Sequence, residues 1–305
     1  MPRSPLTLAA LATAAVPGLD ALAARPAPAS GDYDTAVVTD ADGREWVVRA
    51  PRTVTAGAAL EAETALLASL EHFVTTGALP FTVPRPSGYA LLPEGGRAVV
   101  HPATEGRPVD VESLRPGPGL AADLGRAIAA VHELTTSVVS DAGLPEYTAE
   151  EYRDRRLAEV DEAAATGRVP ARLLRRWESA LEDVSMWKHQ PVVVHGDLGA
   201  DQVLVAHGRV VAITDWAEAR VSDPADDLAW VLVSAPPEAV DAVMEAYQLR
   251  RKELTDPHLA DRALLVGELA LARWLLHGVR HGLADVVDDA VEMLVDLDET
   301  TADEE

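Results

Sequence analysis

Hydrophobic spacing divides the chain into a short mixed region and a long helical one. Residues 35–39 form a β-branched run, residues 45–49 (Glu-Trp-Val-Val-Arg) are strand-like, and Asp40-Ala41-Asp42-Gly43 supplies turn residues between them, so the pair is read as a β-hairpin. Residues 57–72 carry apolar side chains at helical spacing with few breakers. Two more short strands are expected over 88–92 and 97–101. Residues 1–26 have the outline of a secretory signal, with Arg3 followed by a Leu/Ala run. Thr7 and Thr13 interrupt that run, however, and Pro17-Gly18 stands where it should end in a cleavage site, so the segment reads as a first helix.

Helix, hairpin, helix and further strands make a small α+β region over 1–103. The Gly/Pro-rich stretch 104–118 fits a linker and entrance loop. Beyond it, apolar periodicity predicts helices over 120–134, 149–165, 170–187, 225–233, 237–251 and 261–284, which makes 104–305 mainly helical. Residues 191–215 break this pattern. They read PVVVHGDLGADQVLVAHGRVVAITD, with short buried-strand runs and two carboxylates placed just after strands.

Composition narrows the chemistry. With 305 residues, 48% hydrophobic and 25% charged, the chain can bury a sizeable core. It has no cysteine, which excludes disulfides, thiol nucleophiles and Cys-built metal sites. The formal net charge of −24 repels phosphate backbones and anionic lipid, so neither nucleic acid nor a membrane is the expected partner. Most of the excess lies beyond residue 103, where 40 acidic side chains face 19 basic ones, and the tail 296–305 is read as acidic surface. Such a field favours a cationic ligand. No stretch approaches the ~20 apolar residues of a membrane span, and a cytoplasmic protein is expected.

His195-Gly196-Asp197 follows Val192-Val193-Val194, so a buried strand delivers a carboxylate at its carboxyl end. Asp215 ends a second such strand. A short strand at 203–205 and the turn at His207-Gly208 link the two, which should bring Asp197, Gln202 and Asp215 to one edge. Two carboxylates and an amide oxygen are hard ligands, so the expected metal is Mg²⁺.

These residues resemble the aminoglycoside/macrolide phosphotransferase family, whose fold is similar to that of protein kinases. HGDLGADQ resembles the family's catalytic loop, ITDW its metal-binding segment, DPADDLA a following helix start and LGRAIAAVHEL the first large-lobe helix. LAALATAAVPGLD, GREWVVRAPR and DWAEARVSD resemble the macrolide 2′-phosphotransferase branch in particular. The resemblance implies an α+β, bilobal, protein-kinase-like fold, with a nucleotide-binding N-terminal lobe (1–103, antiparallel sheet, hinge at its end) and a catalytic, acceptor-binding C-terminal lobe (104–305).

It also implies roles. Asp197 accepts the proton of the substrate hydroxyl. Asp215 and Gln202 hold Mg²⁺, with Gln202 standing where most kinase-like enzymes have Asn. His195 braces the loop, and Asp227 receives donors from the loop backbone. The phosphate-pairing strand lysine is missing, since the two lysines are Lys188 and Lys252. Arg49 is the expected replacement, with Arg52 as the fallback, and the helix carboxylate to pair with it is Glu63 or Glu61, with Glu63 favoured. Ser30 and Gly31 occupy the turn expected to cover the phosphates, and Val100, His101 and Ala103 fall where the hinge would run.

For the acceptor, Trp230, Glu268, Leu271, Trp274 and Leu275 offer an apolar wall with a carboxylate nearby, although stripes at this spacing are more often core. His277 and His281 stand at i, i+4 without a third metal ligand. The expected activity is transfer of the γ-phosphoryl of GTP or ATP to the 2′-hydroxyl of a macrolide antibiotic, with GTP preferred on resemblance alone. The alternatives are an aminoglycoside or metabolite-alcohol kinase of the same fold, and a pseudokinase that binds nucleotide without turnover.

Overall fold

The computed structural model describes residues 2–27, 32–252 and 256–302. In chain order the first elements are α1 (Pro5–Ala15), β1 (Ala21–Pro26), β2 (Tyr33–Asp40), β3 (Glu45–Pro51), α2 (Val54–Thr75), β4 (Gly88–Leu91), β5 (Arg97–Pro102) and β6 (Arg107–Pro108). The middle of the chain forms α3 (Leu120–His132), α4 (Ser137–Ser140), α5 (Ala149–Ala165), α6 (Ala171–Glu182), β7 (Val192–Val194), β8 (Val203–Ala206), β9 (Arg209–Ile213) and β10 (Arg220–Ser222). Four helices follow: α7 (Ala225–Ser234), α8 (Pro237–Arg250), α9 (Leu259–His281) and α10 (Ala284–Ala302).

The chain packs into two compact units that interleave in sequence. The first comprises Met1–Val109, Ser137–Leu144 and Ala200–Ala219; the second comprises Asp110–Thr136, Pro145–Gly199 and Arg220–Glu305. In the first unit an antiparallel sheet runs β1-β2-β3-β5-β4. The β2–β3 turn is closed by Asp40, which is nearly buried and accepts from the backbone N–H of Asp42 and Arg44 and from Trp46 Nε1 at 2.9 Å. Helix α1 lays Leu8, Ala9 and Ala12 against Val38, Val48, Ala98 and Val100 of the sheet. A smaller sheet, β6-β8-β9, completes the unit.

Residues 1–26 are not one helix. Gly18 turns the chain with φ +83, and residues 21–26 then pair with β2 as an edge strand. None of these six residues is fully buried, so the strand left no apolar alternation to read. The expected helix over 261–284 also continues differently. It stops at Gly282, which caps α9 in the left-handed conformation, and residues 284–302 re-enter helix as α10. Val287, Ala290 and Leu294 are buried along one side of α10, while its many carboxylates concealed that stripe in the sequence.

In the second unit α3, α5, α7, α8 and α9 form the core, and the β7–β10 pair carries the start of the 195–197 loop. Helices α3 and α8 come together at Gly125, where a Cβ would overlap the Val243 carbonyl oxygen and lie 3.0 Å from the Tyr247 nitrogen. Backbone atoms cannot step aside as a flexible side chain can. Gly125→Ala is therefore expected to lower stability by about 1–3 kcal/mol, seen as a reduced urea midpoint without loss of cooperativity. Among the described residues, no helix is long and apolar enough to cross a membrane.

Candidate active site

The first unit gathers three charged side chains from distant positions. Arg49 projects from β3, and its Nη1 donates to both carboxylate oxygens of Glu63 on α2, at 2.9 and 2.8 Å. Its Nη2 donates to Asp215 Oδ1 at 3.2 Å, and its guanidinium stacks 4.5 Å from the centre of the Tyr33 ring. Glu63 Oε1 also accepts the Trp216 backbone N–H at 3.1 Å, which ties the 215–216 turn to α2. Burial pushes the Glu63 carboxyl above its ordinary range; Arg49 opposes that shift, and the neighbouring Asp215 charge adds to it. Of the two candidate helix carboxylates, Glu63 meets Arg49 and Glu61 pairs with Arg97. Arg52 is turned to Asp34, 2.7 Å away.

Asp215 follows β9 with φ 63 and ψ 64, a left-handed backbone that is uncommon outside glycine. Asp tolerates it better than most residues, and such strain persists where surrounding contacts over-determine it. Here Arg49 on the side chain and Glu63 on the following N–H do so. Val203 pairs with Ile213 in the β8–β9 ladder, and the Thr214 N–H donates to the Gln202 carbonyl at 3.0 Å, so Gln202 and Asp215 flank the same ladder end. The hairpin joining these strands turns through His207 and Gly208, both at positive φ, as a two-residue turn of this hand requires. The half-exposed Asp215 carboxylate and the Gln202 side-chain amide would be hard oxygen donors, a chemistry that fits Mg²⁺ better than a soft metal.

The second unit holds Asp197, exposed after β7. The loop that carries it is anchored from α7: fully buried Asp227 accepts the backbone N–H of His195 at 2.7 Å and of Gly196 at 2.9 Å. His132 on α3 bonds the same carboxylate through Nε2 at 3.2 Å, and its Nδ1 bonds the Tyr247 hydroxyl at 2.8 Å. Burial works against the Asp227 charge, but the His132 hydrogen bond and the loop N–H groups outweigh it and hold the carboxyl below the usual range. Arg220 grips the loop from β10, donating to the Gly196 carbonyl at 3.1 Å and to Asp226 at 2.7 Å. His132, Tyr247 and Arg220 were absent from the sequence reading. LGRAIAAVHEL had marked the helix bearing His132, but no spacing rule links residue 132 to residue 227.

A strand-delivered carboxylate on a braced loop, and a second carboxylate beside an Arg–Glu pair, occur in a chain whose residues 24–264 match the sequence pattern of the phosphotransferase enzyme family. The chain belongs to this family. A Bacillus subtilis (strain 168) relative, the uncharacterized protein YcbJ, is 24% identical over 209 residues, which span 64% of this chain and 65% of that protein. Among solved structures, macrolide 2′-phosphotransferase type I is 28% identical with a TM-score of 0.78, over 96% of this chain and 98% of that one. Macrolide 2′-phosphotransferase MphH from Brachybacterium faecium is 25% identical with a TM-score of 0.73, over 91% and 93% of the two chains. An aminoglycoside 2′-phosphotransferase-IIIa solved with GDP shares the fold at a TM-score of 0.80 and 18% identity, over 96% and 98%. The fold is thus the kinase-like one of these phosphotransferases.

Within this phosphotransferase the remaining candidates are dispersed. Ser30 and Gly31 lie outside the described residues. Val100 is buried in mid-strand between β3 and β4. His101 is also buried, on the two-residue extension of β5 past β4, and the Ala103 N–H is taken by the Glu45 carbonyl at 2.8 Å. The expected acceptor wall needs correction. Leu275 is fully buried and presents no surface to an acceptor, while Glu268, with 11% of its side chain exposed, is held by Arg176 and by Trp177 Nε1, both at 2.8 Å. Leu275 is a core member of α9, the commoner meaning of an apolar stripe. Trp230 donates its Nε1 to the Asp227 carbonyl, and Leu271 is half-buried. Trp274 is partly exposed, donates to Asp289 and stacks on His277.

Proposed function

We propose that this phosphotransferase is an antibiotic kinase that moves the γ-phosphoryl group of GTP or ATP to the 2′-hydroxyl of a macrolide amino sugar, acting in the cytoplasm where nucleoside triphosphates are available. The observation that carries the reading is the Arg49–Glu63–Asp215 cluster. It supplies a fixed cation for phosphate and a carboxylate for Mg²⁺, although the chain has no lysine in this unit.

In this reading Asp197 accepts the acceptor hydroxyl proton as its oxygen bonds to the γ-phosphorus and the bond to the bridging oxygen of the leaving diphosphate breaks. Asp215 and Gln202 would hold Mg²⁺, which would supply charge neutralisation at the phosphates. Arg49, oriented by Glu63, offers a planar donor fork to the phosphate oxygens, a geometry lysine would not reproduce. Asp227, His132 and Arg220 keep the 195–197 loop in place. Acidic surroundings suit an acceptor with a cationic dimethylamino group beside its 2′-hydroxyl. The macrolide assignment draws on the two macrolide 2′-phosphotransferases described above, the most identical of the solved relatives named.

The test is a turnover assay with GTP or ATP against a panel of macrolides, kanamycin-like aminoglycosides and simple alcohols, with mass spectrometry of the products. The expected result is acceptor-dependent diphosphate release with a macrolide, and a product heavier by one phosphoryl group. A phosphorylated aminoglycoside with untouched macrolide would move the acceptor class and keep the kinase. Nucleotide binding without turnover on any acceptor would leave a binding module instead.

A further inference from the structure

The chain has only two lysines, Lys188 and Lys252, and both line one cavity of about 690 Å³ in the second unit, together with Arg251, His258, His189 and Gln190. This convergence runs against its surroundings, since 40 acidic side chains face 19 basic ones beyond residue 103. Among the described residues, the one acidic side chain lining the cavity, Asp256, is already engaged by Arg262 Nη2 at 2.7 Å and by the His258 N–H at 3.0 Å. Lys188 is exposed, and after the Ser185 hydrogen bonds it helps, together with His258, to lower the pKa of the exposed Asp183 carboxyl without a close ion pair among the described residues. Lys252 lies 3.7 Å from Glu133 but keeps 85% of its side-chain surface exposed, an arrangement worth little as an ion pair.

The wall behind these cations carries a second signal. The His189 side chain is 1% exposed, yet neither ring nitrogen has a hydrogen-bond partner. Nδ1 stands 3.7 Å from Asp223, whose carboxylate is taken by Arg262 at 2.7 and 3.1 Å and by the Ala225 N–H at 3.0 Å. Buried polar atoms without partners are rare and each calls for an explanation. His189 is among the residues that line the cavity.

We propose that this cavity binds a small anion of the oligophosphate class, at a site separate from the residues assigned to phosphoryl transfer. The volume is that of ordinary small-molecule sites. The donor set suits a phosphate group, since lysine is a common phosphate binder that acts as a mobile point charge. Among the described residues the only arginine lining the cavity is Arg251, whose Nη1 is occupied by the His132 carbonyl at 2.6 Å and by Glu133 at 3.4 Å. The overall negative charge does not forbid such binding. Beyond about 8 Å it is screened at physiological salt, so the nearby cations decide.

The lysine count makes the test direct. Isotopic labelling of lysine side chains gives an NMR spectrum with two lysine spin systems, assigned through Lys188→Arg and Lys252→Arg. Titration with tripolyphosphate is expected to shift both ε-methylene signals saturably, while citrate at matched ionic strength produces no saturable shift. Lys188→Ala, a change at an exposed residue, should weaken tripolyphosphate binding about tenfold when read at Lys252. No shift, or the same drift with sodium chloride, overturns the site. Citrate binding as tightly as tripolyphosphate overturns the phosphate assignment. An unchanged affinity in Lys188→Ala removes the lysines from the site and with them the proposal. The outcome is independent of the acceptor assay, because neither lysine belongs to the proposed transfer machinery.

Discussion

Asp197→Asn is expected to lower phosphoryl transfer by about 10² to 10⁴ while nucleotide affinity stays close to that of the parent protein. The amide keeps the size and hydrogen-bonding reach of the side chain but cannot take a proton from the acceptor hydroxyl. Because Asp197 is exposed on a loop anchored through backbone N–H groups to Asp227, the substitution leaves the buried network intact. Turnover by product formation and nucleotide affinity by titration calorimetry separate the two quantities. A variant keeping more than about a third of parental turnover would remove Asp197 from the role of base. Asp215→Ala should differ in kind. It takes away the proposed metal ligand and frees Arg49 Nη2, so the Mg²⁺ dependence of nucleotide binding should largely disappear. A normal Mg²⁺ response would assign the metal elsewhere.

The second large effect concerns stability. Arg49→Ala leaves the Glu63 carboxylate, 2% exposed, without its counter-charge, and removing one partner of a buried pair costs about 3–5 kcal/mol. The deficit should depend on pH in a defined direction. Burial already raises the Glu63 pKa above the ordinary glutamate value of 4.5, so between that value and the raised one the native state binds more protons than the unfolded state. Stability therefore falls as pH rises through this window. Without Arg49 the window extends further upward. The variant should be strongly destabilised near pH 8 and much less so near pH 5, as read from urea midpoints at each pH. Asp215 and Tyr33 face the same cluster and remain in the variant. The control is therefore Arg49→Ala with Glu63→Gln, which deletes the stranded charge and should recover much of the loss. A deficit that does not change with pH, or no recovery in the double variant, would show that Glu63 is not the group responding.

Comparison of particular elements shows where sequence and tertiary structure each decide. The hairpin around Asp40-Ala41-Asp42-Gly43, helix α2 and most of the later helices were readable because period, turn chemistry and breakers are local properties of the chain. The His195-Gly196-Asp197 and Asp215 segments were readable for the same reason, since each carboxylate follows a short buried run in its own stretch of sequence. The resemblance of HGDLGADQ and ITDW to the catalytic and metal-binding segments of the phosphotransferase family was local in the same way. Edge strand β1 and helix α10 were not legible, because one buries no residue fully and the other hides its buried stripe among carboxylates. Arg49, Glu63 and Asp215 lie far apart in the chain, and which arginine meets which glutamate follows from how β3, α2 and the end of β9 pack. The same holds for His132 and Asp227, for the burial of Leu275 and the capture of Glu268 by Arg176, and for the meeting of Lys188 and Lys252 at one cavity. Local spacing records what a residue's neighbours in sequence require of it. Partners separated by tens to hundreds of residues are selected only when side chains compete for buried space and counter-charge in the folded chain.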